Sequence, residues 1–313
     1  MKRLLSLVSL VLFAAPSLAV TLDGSIAGDG YSLKAVQTVE TGFGDNFSEL
    51  NAAWGQIQGG VLYVTLTGNL ESNFNKLNIF IDSVAGGENT LTNNTSNGGH
   101  NPSNDNWAAK HAGMTFDAGF AADYMLILRN GFGAAPQFDV DFTSVGSTSV
   151  VELSSTIFGA SLTGSNASVG ASGLGVAHNN SNAAGVAGGS GSANQAAAQA
   201  VQTGIELAIP LAAIGNPTDC IKISAMINGQ NHDFLSNQFL GAIDNTAPYG
   251  QINLGGDGAG TFTGSLSQID LNNNSYASGL QYFQVCVPEP SSLALLGLSL
   301  VPVVGRRNRL ARA

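Results

Sequence analysis

GVLYVTLTGNL, residues 60–70, carries the clearest structural signal in the chain. Leu62, Val64 and Leu66 alternate with Tyr63, Thr65 and Thr67, a period of two that gives an extended strand one apolar face and one polar face. Residues 53–58 are the candidate partner upstream, joined through Gly59-Gly60, a pair that accepts the positive φ of a tight hairpin. Downstream, LNIFIDS (77–83) is a short apolar run that closes on Asp82 ahead of Gly86-Gly87, and it reads as a central strand. Working outward, residues 124–129, 137–142, 149–153, 204–209, 221–228, 260–269 and 280–285 are further strand candidates set apart by Gly, Asn or Pro. Helical signal is confined to the alanines of 194–201, which favour one short helix. Many short strands with no strand-helix-strand rhythm predict an all-β fold, an antiparallel β-sandwich or jelly roll.

Two long segments interrupt the strands. Residues 86–106 form an excursion rich in Asn and Gly. Residues 159–192 contain so few bulky side chains that burial would hardly offset their ordering entropy, so they are expected to be a flexible insertion rather than a second domain.

Both ends read as targeting segments. Lys2 and Arg3 precede the apolar stretch 4–15, then Pro16 and the small-residue site ending at Ala19, the pattern of a secretory signal peptide cleaved after Ala19. The body expected to remain is residues 20–286. At the other end, Pro288, Glu289 and Pro290 are followed by an uncharged apolar run at 291–305 and then by Arg306, Arg307, Arg309 and Arg312. That run is roughly 22 Å long as a helix, against a hydrocarbon core of about 30 Å, which is short for a permanent span. The arginines suit the cytoplasmic face and leave Pro288 and everything before it outside. The two prolines hold the backbone around Glu289 extended, open to a processing enzyme. The expected architecture is therefore a sandwich flanked by an N-terminal signal helix and a C-terminal apolar helix.

Residues 287–313 resemble a PEP-CTERM sorting signal, found on exported bacterial proteins. The resemblance implies recognition and cleavage near Pro288-Glu289-Pro290 by a membrane exosortase, transient anchoring in the inner membrane, and a destination in the envelope or extracellular matrix of an exopolysaccharide-making bacterium. Signal peptidase and exosortase are then the processing partners, with exopolysaccharide a further one. Within the body, IELAIPLAAIG (205–215) is similar to a strand-turn segment of family 9 carbohydrate-binding modules and DOMON-like sandwiches. Residues 60–83 are similar to a recurring group of PEP-CTERM proteins of undefined activity.

The full chain has 11 basic and 21 acidic residues; without its two ends the body keeps 5 basic and 20 acidic, a net charge of −15. Such a surface repels nucleic acid and anionic lipid and attracts divalent cations. Cys220 and Cys286 are the only cysteines. In an exported protein they are expected to form a disulfide, the alternative being two separate buried thiols.

Catalytic patterns are weak. The histidines are His100, His111, His178 and His232, and no G-x-S-x-G elbow accompanies them. Asp82, Glu88, Asp139 and Asp141 are available carboxylates, but nothing in their spacing places two across a glycosidic bond. Asp270, Asn272 and Asn274 begin like a calcium loop, yet Ser275 replaces the turn glycine and Gln281 the bidentate Glu. No organic cofactor is implied; calcium at Asp82 and Glu88, around Gly86-Gly87, is the metal alternative. Sugar binding on a sandwich needs exposed rings, for which Trp107, in a polar loop, and Tyr249 are the candidates, whereas Trp54 belongs in the core. The expectation is a non-catalytic structural or adhesive exported protein; the alternative is a carbohydrate-binding module for a defined glycan.

Overall fold

The computed structural model describes residues 19–93, 106–146, 152–158, 166–241 and 252–288. Among the described residues, fourteen strands are distributed over two antiparallel sheets. The first has the order β1 (Ser32–Val36), β2 (Glu49–Gln58), β3 (Val61–Asn69), β10 (Gly204–Pro210), β9 (Leu174–His178), β8 (Asn166–Val169). The second runs β13 (Asn253–Gly255), β12 (Leu235–Leu240), β11 (Cys220–Asn228), β4 (Lys76–Asp82), β5 (Tyr124–Phe132), β6 (Pro136–Ser144), β7 (Glu152–Phe158). One side of β11 is shared: its second half pairs with β12 and its first half with β14 (Phe283–Cys286).

The β2–β3 hairpin turns at Gly59 and Gly60, both at positive φ (59° and 79°), with Gln58 paired to Val61. Those dihedral signs match the right-handed strand twist, which is why two glycines serve here. Leu62, Val64 and Leu66 point inward and meet Leu77, Ile79, Ile81, Leu126, Leu128 and Val140 of the facing sheet in one buried cluster. The two sheets thus form a β-sandwich-like body, as the strand pattern predicts.

A second apolar cluster explains the uninterrupted run in β4. Ile79 and Ile81 face the inter-sheet core, while Phe80 points the other way, with Met125, Ile127 and Met226, into a layer built from the β4–β5 and β13–β14 connections. That layer contributes Leu91, Met114, Phe116, Phe120, Leu266 and Ile269. Residues 260–269, expected as a strand, instead form a series of turns: Leu266 N–H donates to the Lys110 carbonyl and Ile269 N–H to that of Leu266. A turned path buries both Leu266 and Ile269 against the same sheet face, which strict alternation would not.

The expectation of a flexible insertion over 159–192 is corrected for its described part. Asn166–Val169 and Leu174–His178 form a hairpin, and β9 pairs with β10 from His178↔Ile205 to Ala208↔Gly175. Val169, Leu174 and Val176 are buried. Small residues between them hide a period-two apolar face that needs only one side chain in two. The following segment is held by Asn180 Oδ1, which accepts from Leu70 N–H, and by Asn182 Nδ2, which donates to Glu49 and Asn69. A short helix, α2 (Gln195–Ala200), follows, capped by Asn194 Oδ1 accepting from Ala197 N–H. Residues 1–18 and 289–313, with the expected signal segment and most of the tail, lie outside the described residues. Among the described residues no helix is long and apolar enough to cross a membrane.

Candidate functional site

The expected ligand residues are dispersed. Trp107 is 2% exposed, which corrects its role as a sugar platform: it opens a one-turn helix, α1 (Trp107–His111), whose Trp107, Ala108 and His111 are all buried. The carbonyl of Trp107 bonds His111 Nδ1 at 2.8 Å, so helix closure draws the indole into the cover layer and no ring face is left for a sugar. Tyr249 lies outside the described residues. Trp54, on β2, is half-buried on the outward face of the first sheet rather than in the inter-sheet core.

Asp82 and Glu88 are engaged separately. Asp82 Oδ2 accepts from Lys222 Nζ at 3.0 Å and from Ala121 N–H at 3.1 Å. Glu88 accepts from Thr92 through both its N–H and its hydroxyl, at 2.9 and 2.6 Å. Neither acid joins a group of three converging ligands among the described residues. Asp139 is paired with Arg129, its partner across β5–β6. Asp270 Oδ1 accepts from the backbone and side-chain amides of Asn272, which closes the connection between β13 and β14 instead of opening a cation loop.

A different set of carboxylates converges. On β10, Ile205, Leu207 and Ile209 face the core, so the intervening Glu206 points outward, beside Thr65 of β3. The N-terminal segment folds over it: Ser25 bridges Thr203, and Ile26 N–H donates to the Gln202 carbonyl. Gly24 makes this close approach possible, since it sits at φ 80° and a Cβ there would lie 2.8 Å from Asn179. Asp23, Asp29 and Glu206 each bring an oxygen within 4.8 Å of the others, the one group of three or more such ligands among the described residues. Glu206 is fully buried, Asp29 is 3% exposed and Asp23 is half-buried.

Neutral donors serve part of this group. Glu206 Oε2 accepts from the N–H groups of Asp23 and Gly24, both at 2.8 Å, and Oε1 from the Tyr31 hydroxyl at 2.6 Å. Asp29 Oδ1 accepts from Thr21 N–H at 2.9 Å, while Oδ2 is buried with no hydrogen-bond partner. None of the described ion pairs reaches the three acids. Burial pushes the Glu206 and Asp29 carboxyls above their usual range, and the neighbouring Asp23 charge adds to the rise at Asp29. Burial, reinforced by the Glu206 carboxylate, also raises the Tyr31 hydroxyl. Chemically the group is a set of hard oxygen ligands, suited to a divalent cation. Two signals for it exist in the sequence, the Asp-Gly pairs at 23–24 and 29–30 and the single acid in the apolar run IELAIP. Only the chain path brings them together, across a sequence separation of 177 from Asp29 to Glu206.

The exit of the C-terminal tail is the third feature. β14 pairs with β11 from Ile223↔Phe283 to Cys220↔Cys286, and the two cysteines are joined in a disulfide that closes a separation of 66 residues. Phe283 and Val285 are buried in the inter-sheet core, whereas Pro288, the last described residue, is exposed. No family model, curated protein or solved structure matches the chain.

Proposed function

We propose that this chain is an exported, non-catalytic bacterial protein delivered by an exosortase-type system to the cell envelope or extracellular polysaccharide matrix, with a structural or adhesive role. The observation that carries the reading is the order Pro288-Glu289-Pro290, apolar run, arginine cluster at residues 288–312, opposite an N-terminal segment with secretory signal character. The path of β14 supports it. Cys286 ties the strand to the sheet with one residue between it and Pro288, and Pro288 is exposed, so a processing enzyme can reach the chain where the Pro-Glu-Pro segment starts. Acting from outside the cell also agrees with the acidic, charge-poor body.

Mass spectrometry of the protein recovered from the producing cell tests the reading. It should begin at Val20 and end close to Pro288-Glu289-Pro290; recovery with Met1 or the terminal arginines in place, in a strain whose exosortase is active, overturns it. A glycan array probed with the same material separates the structural role from recognition of a defined glycan. A structural protein gives no defined hit.

A further inference from the structure

We propose that Asp23, Asp29 and Glu206 bind one calcium ion, which clips the N-terminal segment onto the outward face of the first sheet. Ligand oxygens about 2.3–2.6 Å from a calcium ion can lie no more than roughly 5 Å from one another. The three carboxylates already satisfy that limit, each offering an oxygen within 4.8 Å of the other two. The second observation is Asp29 Oδ2: it belongs to a side chain 3% exposed and has no hydrogen-bond partner. A buried carboxylate oxygen without a donor is costly unless a cation or a proton satisfies it. No lysine or arginine of the described ion pairs does so.

Oxygen-only ligands exclude the softer transition metals as preferred occupants. Magnesium demands a tighter octahedron and gives up its water reluctantly, which suits a partly sealed three-carboxylate group less well than calcium does. Asp23 is half-buried and forms the side from which an ion and its remaining waters enter. The ligands come from two places distant in sequence, so binding ties residues 23–29 to β10, where Gly204 N–H already donates to the Gly24 carbonyl. The inference is independent of how the C-terminal tail is processed.

Calorimetric titration of the purified full chain with calcium chloride, after chelator treatment, tests it, with magnesium chloride as the comparison ion. One binding event is expected, with at least tenfold preference for calcium. The melting temperature should rise with calcium, and residues 20–31 should become resistant to limited proteolysis. Glu206→Gln and Asp29→Asn should each weaken binding at least tenfold, while Asp82→Asn should leave it unchanged. Should Glu206→Gln not fold, Asp23→Asn carries the same expectation, because its half-buried carboxylate can be neutralised without opening the core. Absence of binding to the wild-type chain, or binding of undiminished strength in a folded variant of the three, overturns the proposal. In the first case a shared proton holds the carboxyls together; in the second the ion sits elsewhere.

Discussion

At the scale of single residues, the buried polar side chains carry the clearest consequences. His178 is fully buried in the sandwich, stacked on Phe138 with ring centroids 4.7 Å apart, and burial lowers its pKa to about 4. The unfolded chain, with an ordinary histidine near 6.5, binds the proton first as pH falls, so the folded state loses stability between pH 6.5 and about 4. The loss amounts to roughly 3 kcal/mol once both states have titrated. His178→Leu should abolish it, and denaturant titrations of both proteins from pH 8 to 4 check this; a difference that stays constant across that range sinks the assignment. Arg129 and Asp139 make the complementary case, a cross-strand ion pair with side-chain exposures of 11% and 1%, in which the guanidinium also lies 5.4 Å from the Phe74 ring centre. Asp139→Ala should cost about 3–5 kcal/mol by stranding the buried arginine, whereas replacing both partners with apolar residues of similar volume should recover most of it. Chemical denaturation of the two variants is the measurement.

Among the elements, β3, β4, β10 and β11 were legible because each carries its own evidence: a period of two in β3, β10 and β11, and an apolar run of strand length in β4. β8, β9 and β12 were not. β9 has only Leu174 and Val176 as large apolar markers, and β12 (LSNQFL) buries Asn237 and Gln238, whose polarity reads as loop until the partners are known. Asn237 donates to the Glu40 carbonyl, while Gln238 accepts from Leu50 N–H and donates to the Val39 carbonyl, contacts made across the fold and invisible in a window of neighbours. Trp107 was misplaced for a related reason, since a ring in a polar segment reads as exposed until the layer over it is seen. For β14, removing the Cys220–Cys286 bond by double substitution to alanine should lower stability by about 4 kcal/mol in the chain-entropy model for a 66-residue loop. It should also change the rate of tail processing in cells, because the strand end beside Pro288 frays. Thermal melts and a time course of the C-terminal mass read the two effects, and unchanged processing would uncouple the tail from the core.

On the scale of the whole molecule, charge and layering act together. With 20 acidic and 5 basic residues between the two ends, the body repels itself, and salt should relieve that repulsion. Raising sodium chloride from about 10 to 200 mM, over which the screening length falls severalfold, should raise the melting temperature. The rise should persist in Glu206→Gln, which distinguishes general screening from occupation of the cation site; a melting temperature that ignores salt would mean the acids are already neutralised locally. Residue patterning alone was enough for the all-β class, the β2–β3 hairpin and a strand at β4, because those features rest on neighbours a few positions apart. The second apolar core over β4, the hairpin hidden among small residues, the sealing of Trp107 and the meeting of Asp23, Asp29 and Glu206 came from the chain path. Each depends on groups far apart in sequence, and a period of two says which residues share a face but not what the other end of the chain will lay across it.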